Sequence, residues 1–291
     1  MILASIPSPG FNVFHIGPLS IHIYGILMGV AVATSYILVV KRYVASGGDR
    51  RLVERAAFWA VVIGFSGARL GYVSTHLYRY RGDWLGVFKL WEGGIALFGG
   101  LVFGAGAAAF VMWRGKGKFL QMADAAAIAL PAAQAIGRWG NYFNQELFGT
   151  PTNLPWGLRI DPANRPEKYL NSPTFHPTFL YEALWNVGII VFLLWLERHY
   201  KLRRGVLFAS YLALYAVARF GLELIRTDTT FRFLGLSRNA WVSLGAVLLA
   251  LGLVAFVYRW RPETAETAAE EAVEEGADEG VEEAAVPEEA E

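Results

Sequence analysis

Seven stretches of about 20 mostly apolar residues constrain the fold of this chain more than any other feature. Their approximate bounds are Leu19 to Val40, Arg55 to Thr75, Gly94 to Trp113, Phe119 to Arg138, Phe179 to Leu196, Val206 to Ile225 and Ala240 to Tyr258. A helix of that length crosses the hydrocarbon core of a bilayer, where each backbone polar group must be bonded within the segment. Hydrophobic residues make up 55% of the 291, too many for a water-soluble surface. We therefore predict an all-α, polytopic membrane protein with about seven transmembrane helices.

Basic residues mark alternate connections as cytoplasmic by the positive-inside rule. They are Lys41, Arg42, Arg50, Arg51 and Arg55, then Arg114, Lys116 and Lys118, then Arg198, Lys201, Arg203 and Arg204, and finally Arg259 and Arg261. The alternation predicts an N-terminus outside, a C-terminus in the cytoplasm, and outward segments 78–91, 142–176 and 227–238. Trp84, Trp91 and Trp156 in those segments suit a membrane interface. No removable signal peptide is evident, so we expect the first stretch to remain as a span.

Charge divides the chain into a membrane body and an acidic tail. From Glu263 onward lie 13 of the 25 acidic residues, which leaves 12 acidic against 26 basic residues in the body, a net charge of +14. Residues 1–261 are predicted to form one transmembrane domain, in which the proline-rich stretch 140–178 is an irregular outer segment. The acidic tail, residues 262–291, has too little apolar surface to fold and is predicted to be disordered in the cytoplasm.

Ionisable side chains inside apolar stretches are costly and therefore indicate function. In the predicted orientation, six stretches bring polar groups to the outer half of the bilayer. These groups belong to Tyr24, Arg69, Arg138, Asn141, Asn144, Glu146, His176, Glu182, Arg219, Glu223 and Arg226, with Phe98 and its paired glycines at the same depth. A common depth predicts a shared cavity. The fourth stretch is also interrupted by Gln121, Asp124 and Gln134, which is typical of a helix buried in a bundle.

The sixth stretch has the sharpest internal pattern. Tyr215, Arg219 and Glu223 follow at four-residue intervals and Arg226 comes three residues later, so all four lie on one face of a helix. Such a stripe is either an ion-pair ladder within the helix or part of a site, and the polar groups on other stretches favour the site. Guanidinium groups match phosphate oxygens and stay charged where water is scarce. Arg69, Arg138 and Arg219 are therefore candidates for binding a phosphate.

The chain has no cysteine, which excludes disulfides, thiolate metal sites and a cysteine nucleophile. Thiol chemistry would have to use a sulfur of the substrate. No acidic or histidine spacing matches a metal site such as His-Glu-x-x-His, and no metal is expected. His176 precedes a proline and is interpreted as a cap or hydrogen-bonding residue. Asp124 is interpreted as lying at a helix N-terminus, and Glu182 as either bracing an arginine or satisfying a neighbouring helix.

The run GRWGNYFNQELFG at residues 137–149 closely resembles the signature of the prolipoprotein diacylglyceryl transferase family. The resemblance extends over nearly the whole membrane body through IPSP at 6–9, HIYGILMG at 22–29, GARLGY at 67–72, GGIALFGGL at 93–101, HPTFLYEALWN at 176–186 and YAVARFGLELIR at 215–226. It implies a bacterial cytoplasmic-membrane enzyme that moves a diacylglyceryl group from phosphatidylglycerol to the lipobox cysteine of a prolipoprotein, forming a thioether and releasing glycerol phosphate. The partners would be phosphatidylglycerol, signal peptides with a lipobox cysteine and the bilayer, with no cofactor and no nucleic acid. The active site would face the outer leaflet.

The resemblance also implies roles for particular residues. The essential arginines of the family fall on Arg138 and Arg219, and we expect these, with Tyr24 and Glu223, to be catalytic. The arginines would hold the phosphate and stabilise the leaving group, Glu223 and Glu146 would orient them, and Tyr24 and Tyr215 would line the cavity and relay a proton. The expected substrate-binding residues are Arg138, Asn141, Asn144, Glu146, Gly149, Tyr215, Arg69, Phe98 and Arg226.

One position departs from the family pattern. Phe98 stands where several relatives have histidine and others tyrosine, and a phenylalanine cannot take a proton. Another group is therefore expected to activate the thiol.

Two rival functions use buried charges differently. A transporter or channel predicts polar residues that continue through the inner half of the bilayer, where this sequence offers almost none beyond Asp124 and Glu54. A retinal receptor needs a lysine in the last stretch for a Schiff base, and that stretch has none. A purely structural scaffold would not need three arginines at one depth.

Overall fold

Seven long helices form the protein in the computed structural model, which describes residues 5–17, 19–89, 93–226 and 232–260. The helices are α1 Ile23–Ala45, α2 Arg50–Thr75, α3 Leu97–Arg114, α4 Phe119–Asn144, α5 Thr178–His199, α6 Val206–Ile225 and α7 Arg238–Trp260. All seven are long and apolar enough to cross a membrane, which confirms the helical, polytopic prediction. Trp91, residues 227–231 and the acidic tail lie outside the described residues, so the expectations placed on them stay predictions.

The described part of the chain also has three short antiparallel strand pairs, one before α1, one between α4 and α5 and one between α6 and α7. They are β1 Val13–Ile16 with β2 Leu19–His22, β3 Leu158–Arg159 with β4 Thr174–Phe175, and β5 Arg232–Phe233 with β6 Leu236–Ser237. The prediction that the first span begins at Leu19 is wrong, because residues 19–22 pair with β1 and the extended backbone of His22 precedes α1.

The segment between α4 and α5 is mostly irregular and has a small core of its own. Phe148, Leu158, Ile160, Phe175 and Phe179 are buried against one another. The predicted start of this segment at residue 140 is wrong, since α4 continues to Asn144. The buried aromatic and aliphatic side chains hold the segment over the ends of α4 and α5.

Helix α4 occupies the centre of the bundle. It packs against α1, α5 and α6, while α2 packs against α3 and α6 against α7. Ala127 and Ala129 of α4 are fully buried, and small side chains of this kind let neighbouring helices approach closely. The prediction that the polar fourth stretch is a buried bundle helix is confirmed.

Polar contacts fix α4 to its neighbours at one end of the bundle. Gln121 Nε2 donates to Ser46 Oγ (2.7 Å) at the end of α1. Asp124 accepts hydrogen bonds from the backbone N–H groups of Gly205 (2.6 Å) and Phe208 (2.9 Å). Asp124 therefore lies at a helix N-terminus as predicted, but the helix that it caps is α6.

Successive helices alternate in direction, which gives the bundle two distinct ends. The loop end carries the segment 145–177 and the C-terminal ends of α2, α4 and α6. The basic end carries the connections 46–49, 115–118 and 200–205 and the C-terminal end of α7. The polar groups predicted for the site on α4, α5 and α6 lie toward the loop end, whereas Gln121 and Asp124 of α4 lie toward the basic end.

Candidate functional site

Two arginines from different helices share one buried carboxylate. Arg138 Nη2 on α4 lies 2.6 Å from Glu182 Oε2 on α5, and Arg219 Nη1 on α6 lies 3.9 Å from Glu182 Oε1. The Glu182 side chain is 4% exposed, against 19% for Arg138 and 16% for Arg219. Of the two roles considered for Glu182, the structure shows that it braces an arginine, and it does so for both.

A second carboxylate holds Arg219 within its own helix. Arg219 Nη2 lies 3.1 Å from Glu223 Oε2, one helical turn later. Asn239 at the start of α7 donates from Nδ2 to Glu223 Oε1 (3.3 Å). Arg219 Nη1 is buried and has no hydrogen-bond partner among the residues that the structure describes. Since a buried donor without a partner is costly, this atom is suited to bind an oxygen of a ligand.

Asn239 was missed by sequence reasoning. It precedes the apolar stretch that began at Ala240, so its side chain was not considered with the intramembrane polar groups. Its position one residue before that stretch is the only signal that could have indicated a role.

The end of α4 orients Arg138 through a chain of amides. Arg138 Nη1 donates to Asn141 Oδ1 (3.4 Å), and Asn141 Nδ2 donates to Glu146 Oε1 (2.9 Å). Asn144 Nδ2 donates to the same Glu146 oxygen at 3.2 Å. The left-handed backbone of Gln145 ends the helix and turns Glu146 back toward its last turn. Glu146 therefore positions Arg138 indirectly, by way of Asn141.

Two glycines let other elements come close to this chain of amides. A Cβ on Gly140 would lie 2.4 Å from Tyr24 Cδ2, so the Tyr24 ring packs directly on α4 beside Asn141. A Cβ on Gly149 would lie 2.8 Å from His176 Cβ and 3.1 Å from the carbonyl oxygen of Ile225. The absence of a side chain at Gly149 thus lets the segment after α4 pack closely against the start of α5 and the end of α6.

The remaining expected residues of α6 and α5 border the same region. Arg226 is buried at the end of α6, and its backbone forms a bridge with Gly149. Tyr215 lies one turn before Arg219 and stacks on Tyr211, with ring centroids 6.0 Å apart. His176 Nδ1 lies 3.1 Å from the Tyr181 hydroxyl, in the hydrogen-bonding role that was expected for it.

Arg69 has a different environment from the other two arginines. All five of its N–H donors are directed to backbone carbonyls of the α2–α3 connection. The acceptors belong to Gly86 (2.7 Å), Val87 (2.7 Å), Lys89 (3.3 Å), Gly93 and Gly94 (2.9 Å). No N–H remains for a phosphate oxygen, so the expectation that Arg69 binds the lipid has to be revised. Its contacts instead fix the fold of this connection.

The same connection holds an exposed ion pair. Lys89 Nζ donates to Asp83 Oδ2 at 3.0 Å. This hydrogen bond holds the pKa of the Asp83 carboxyl below its usual range. The contact adds order to the connection at neutral pH.

Phe98 lies on α3, which packs mainly against α2. Its side chain is 47% exposed. The structure therefore does not bring Phe98 into the buried ion-pair cluster of Arg138, Glu182 and Arg219.

The fold and this site define a multi-span α-helical membrane protein with a buried pair of arginines that share a carboxylate. Residues 12–257 match the family described as prolipoprotein diacylglyceryl transferase. The chain belongs to this family, as its motifs predicted, and it is therefore a transferase of lipoprotein biosynthesis.

Curated relatives cover most of the chain. The phosphatidylglycerol–prolipoprotein diacylglyceryl transferase 2 of Streptomyces coelicolor is 43% identical over 258 residues, which cover 88% of this chain and 80% of the relative. The corresponding transferase of Cutibacterium acnes is 46% identical over 228 residues, 77% of each chain. Transferase 1 of Streptomyces coelicolor is 41% identical over 280 residues, 92% of this chain and 80% of the relative. These matches set aside the channel and receptor interpretations.

Proposed function

We propose that this chain transfers the diacylglyceryl group of phosphatidylglycerol to the lipobox cysteine thiol of a prolipoprotein, and that Arg138 and Arg219 bind the lipid phosphate. One observation carries the assignment of the phosphate site. The buried Nη1 donor of Arg219 has no hydrogen-bond partner among the described residues, and it lies beside the carboxylate that also holds Arg138.

The two arginines are suited to a charged headgroup that enters from lipid. A guanidinium donates in a planar fork, and it needs no proton uptake to stay charged in a poorly hydrated cavity. Glu182 and Glu223 fix the positions of both guanidiniums before the substrate arrives, so little reorganisation is needed on binding. We expect the headgroup also to contact Tyr24, Asn141, Asn144, Glu146 and Tyr215.

The reaction is a displacement at the terminal glyceryl carbon. The cysteine sulfur attacks as thiolate, the C–S bond forms while the C–O bond to the phosphate breaks, and glycerol phosphate leaves with the electron pair. No atom changes its net oxidation level, so the step balances without a redox cofactor. Cationic groups at the phosphate stabilise the charge that grows on the leaving oxygen. Phe98 has no site for the thiol proton. We assign the relay of this proton to Tyr24 and Tyr215, and its final acceptor is the leaving glycerol phosphate.

We further propose that the loop end faces outward in the bacterial cytoplasmic membrane. The opposite end carries the dense basic connections that remain on the cytoplasmic side. In this orientation the N-terminus lies outside, the residues after α7 lie in the cytoplasm, and Arg138 and Arg219 lie in the outer half of the bilayer. Prolipoprotein signal peptides would meet the phosphatidylglycerol there.

A transfer assay tests the proposal. Purified protein is incubated with phosphatidylglycerol and a lipobox peptide, and the peptide is examined by mass spectrometry for the added diacylglyceryl group. We expect the added mass with the native chain and with Arg42→Ala, whose partner Glu197 lies at the basic end. Arg138→Ala and Arg219→Ala should insert normally but give no product. Native rates in either variant would refute the roles assigned to these arginines.

A further inference from the structure

The basic end of the bundle has a large surplus of positive charge. Its exposed basic side chains are Lys41, Arg50, Arg51, Arg55, Arg114, Lys116, Lys118, Arg198, Lys201 and Arg259, and Arg42, Arg203 and Arg204 are half-buried there. The acidic side chains at this end are Asp49, Glu54, Asp124 and Glu197. The described residues thus place thirteen basic against four acidic groups here, a surplus of nine charges.

The acidic groups at the basic end are already engaged in local contacts. Glu197 is paired with Arg42 at 2.6 Å, and Glu54 with Arg50 at 2.8 Å. Asp49 caps the start of α2, as Asp124 caps α6. These four carboxylates are therefore committed to contacts of their own, and they are already subtracted in the surplus of nine charges.

The acidic tail begins at this same end. Helix α7 ends at Trp260, and its last turn is held there by Arg203, which donates to the carbonyl oxygen of Tyr258 (3.3 Å) and lies 5.0 Å from the centre of its ring. The residues that follow contain 13 carboxylates and no basic residue after Arg261. A segment of opposite charge is thus tethered directly to the basic surface.

We propose that the acidic tail, residues 262–291, binds the basic end of its own chain. A short tether gives the tail an effective concentration in the millimolar range. Screening in physiological salt acts over about 8 Å, so the attraction requires the tail to lie on the surface itself. Bound there, the tail shields this end of the enzyme from other polyanions.

The sign of the salt response separates a bound tail from a free one. A free polyacid is expanded by self-repulsion, and it contracts when salt screens its charges. A bound tail is held close at low salt and is released by high salt, so its distance from the bundle increases. For the 16 residues from Pro262 to Ala277, a neutral coil spans about 20–24 Å.

The absence of cysteine allows a direct distance measurement on the full chain. Ala45→Cys at the end of α1 and Ala277→Cys in the tail are spin-labelled in neutral detergent, and the distance is measured by pulsed electron resonance. The matched control carries Gln or Asn at all 13 acidic positions of the tail. At low salt, we expect the distance between the two labels to be shorter with the native tail than with the neutral tail. In 1 M salt, screening acts over about 3 Å. We then expect the distance to increase by on the order of 10 Å for the native tail and not for the neutral tail.

Four results would overturn the proposal. The first is a native distance equal to or longer than that of the neutral tail at low salt. The second is an unchanged distance when Arg51, Arg114 and Lys116 are replaced together by Gln. The third is a dipolar coupling between two copies of the chain that each carry one of the labels, which would show that the tail binds the basic end of a second chain. The fourth is a long distance in nanodiscs that contain anionic lipid, which would assign the surface to lipid headgroups.

Discussion

Replacement of Glu182 by glutamine should destabilise the protein far more than the loss of an ordinary ion pair. The carboxylate is 4% exposed and lies against two guanidinium groups, at 2.6 Å from Arg138 and 3.9 Å from Arg219. Removing one partner of a buried ion pair leaves the other charge uncompensated and costs about 3–5 kcal/mol. At about 2–4 °C per kcal/mol for a chain of this size, we expect Glu182→Gln to lower the Tm by about 6–20 °C.

Glu197→Gln is the matched control for this prediction. Glu197 forms an ion pair of the same length with Arg42, also 2.6 Å, but its side chain is 47% exposed. Exposed ion pairs contribute about 0–1 kcal/mol, so its Tm should fall by no more than about 4 °C. The comparison isolates burial, because the residue type, the substitution and the contact distance are the same.

Thermal unfolding in detergent, followed by tryptophan fluorescence, measures both variants. Transfer is then assayed well below the lower Tm, where both variants are folded. Glu182→Gln should lose most of its activity because Arg138 and Arg219 are no longer held in place, whereas Glu197→Gln should keep it. Equal Tm shifts, or full transfer by Glu182→Gln, would refute the argument that this carboxylate organises the site.

Three further substitutions test separate parts of the structure. In Arg69→Lys, the lysine cannot donate to all five carbonyls that the guanidinium contacts. We expect a lower Tm with an unchanged KM for phosphatidylglycerol. A raised KM at native stability would instead indicate that Arg69 binds the lipid. Asp124→Ala removes the cap of α6 and should cost about 0.5–2 kcal/mol in denaturant unfolding, without slowing transfer per folded molecule. Gly149→Ala would place a Cβ 2.8 Å from His176 Cβ; we expect the backbone shift to reduce kcat severalfold, and native kcat would contradict the close packing.

The helices were the most predictable part of the fold. Seven long apolar stretches identify seven spans, because length and hydrophobicity decide whether a segment is stable in lipid. The start of α1 was less predictable, since residues 19–22 are compatible with either a helix or a strand until their pairing with β1 is seen. The exit of α4 depends on the left-handed backbone at Gln145, a conformation that glutamine seldom adopts.

The candidate site was predictable in its residue types but not in its pairings. Because Arg69, Arg138 and Arg219 have a similar predicted depth in the membrane, the sequence predicted one site for all three. In the structure, Arg69 does not join the other two, because carbonyls of the α2–α3 connection accept its hydrogen bonds. The role of Glu182 could not be decided from sequence, since it depends on which face of α5 turns toward α4. Contacts between helices are set by packing across the bundle, and a single sequence carries little information about them.

Equilibrium binding of phosphatidylglycerol in the absence of peptide tests the central claim most directly. Loss of one charged hydrogen-bond donor costs about 1.5–3 kcal/mol, which corresponds to a Kd increase of about 10-fold or more. We predict such an increase for Arg138→Gln and for Arg219→Gln, and native affinity for Arg42→Gln. Native affinity in both site variants, with the protein folded, would contradict the claim that these arginines bind the lipid phosphate.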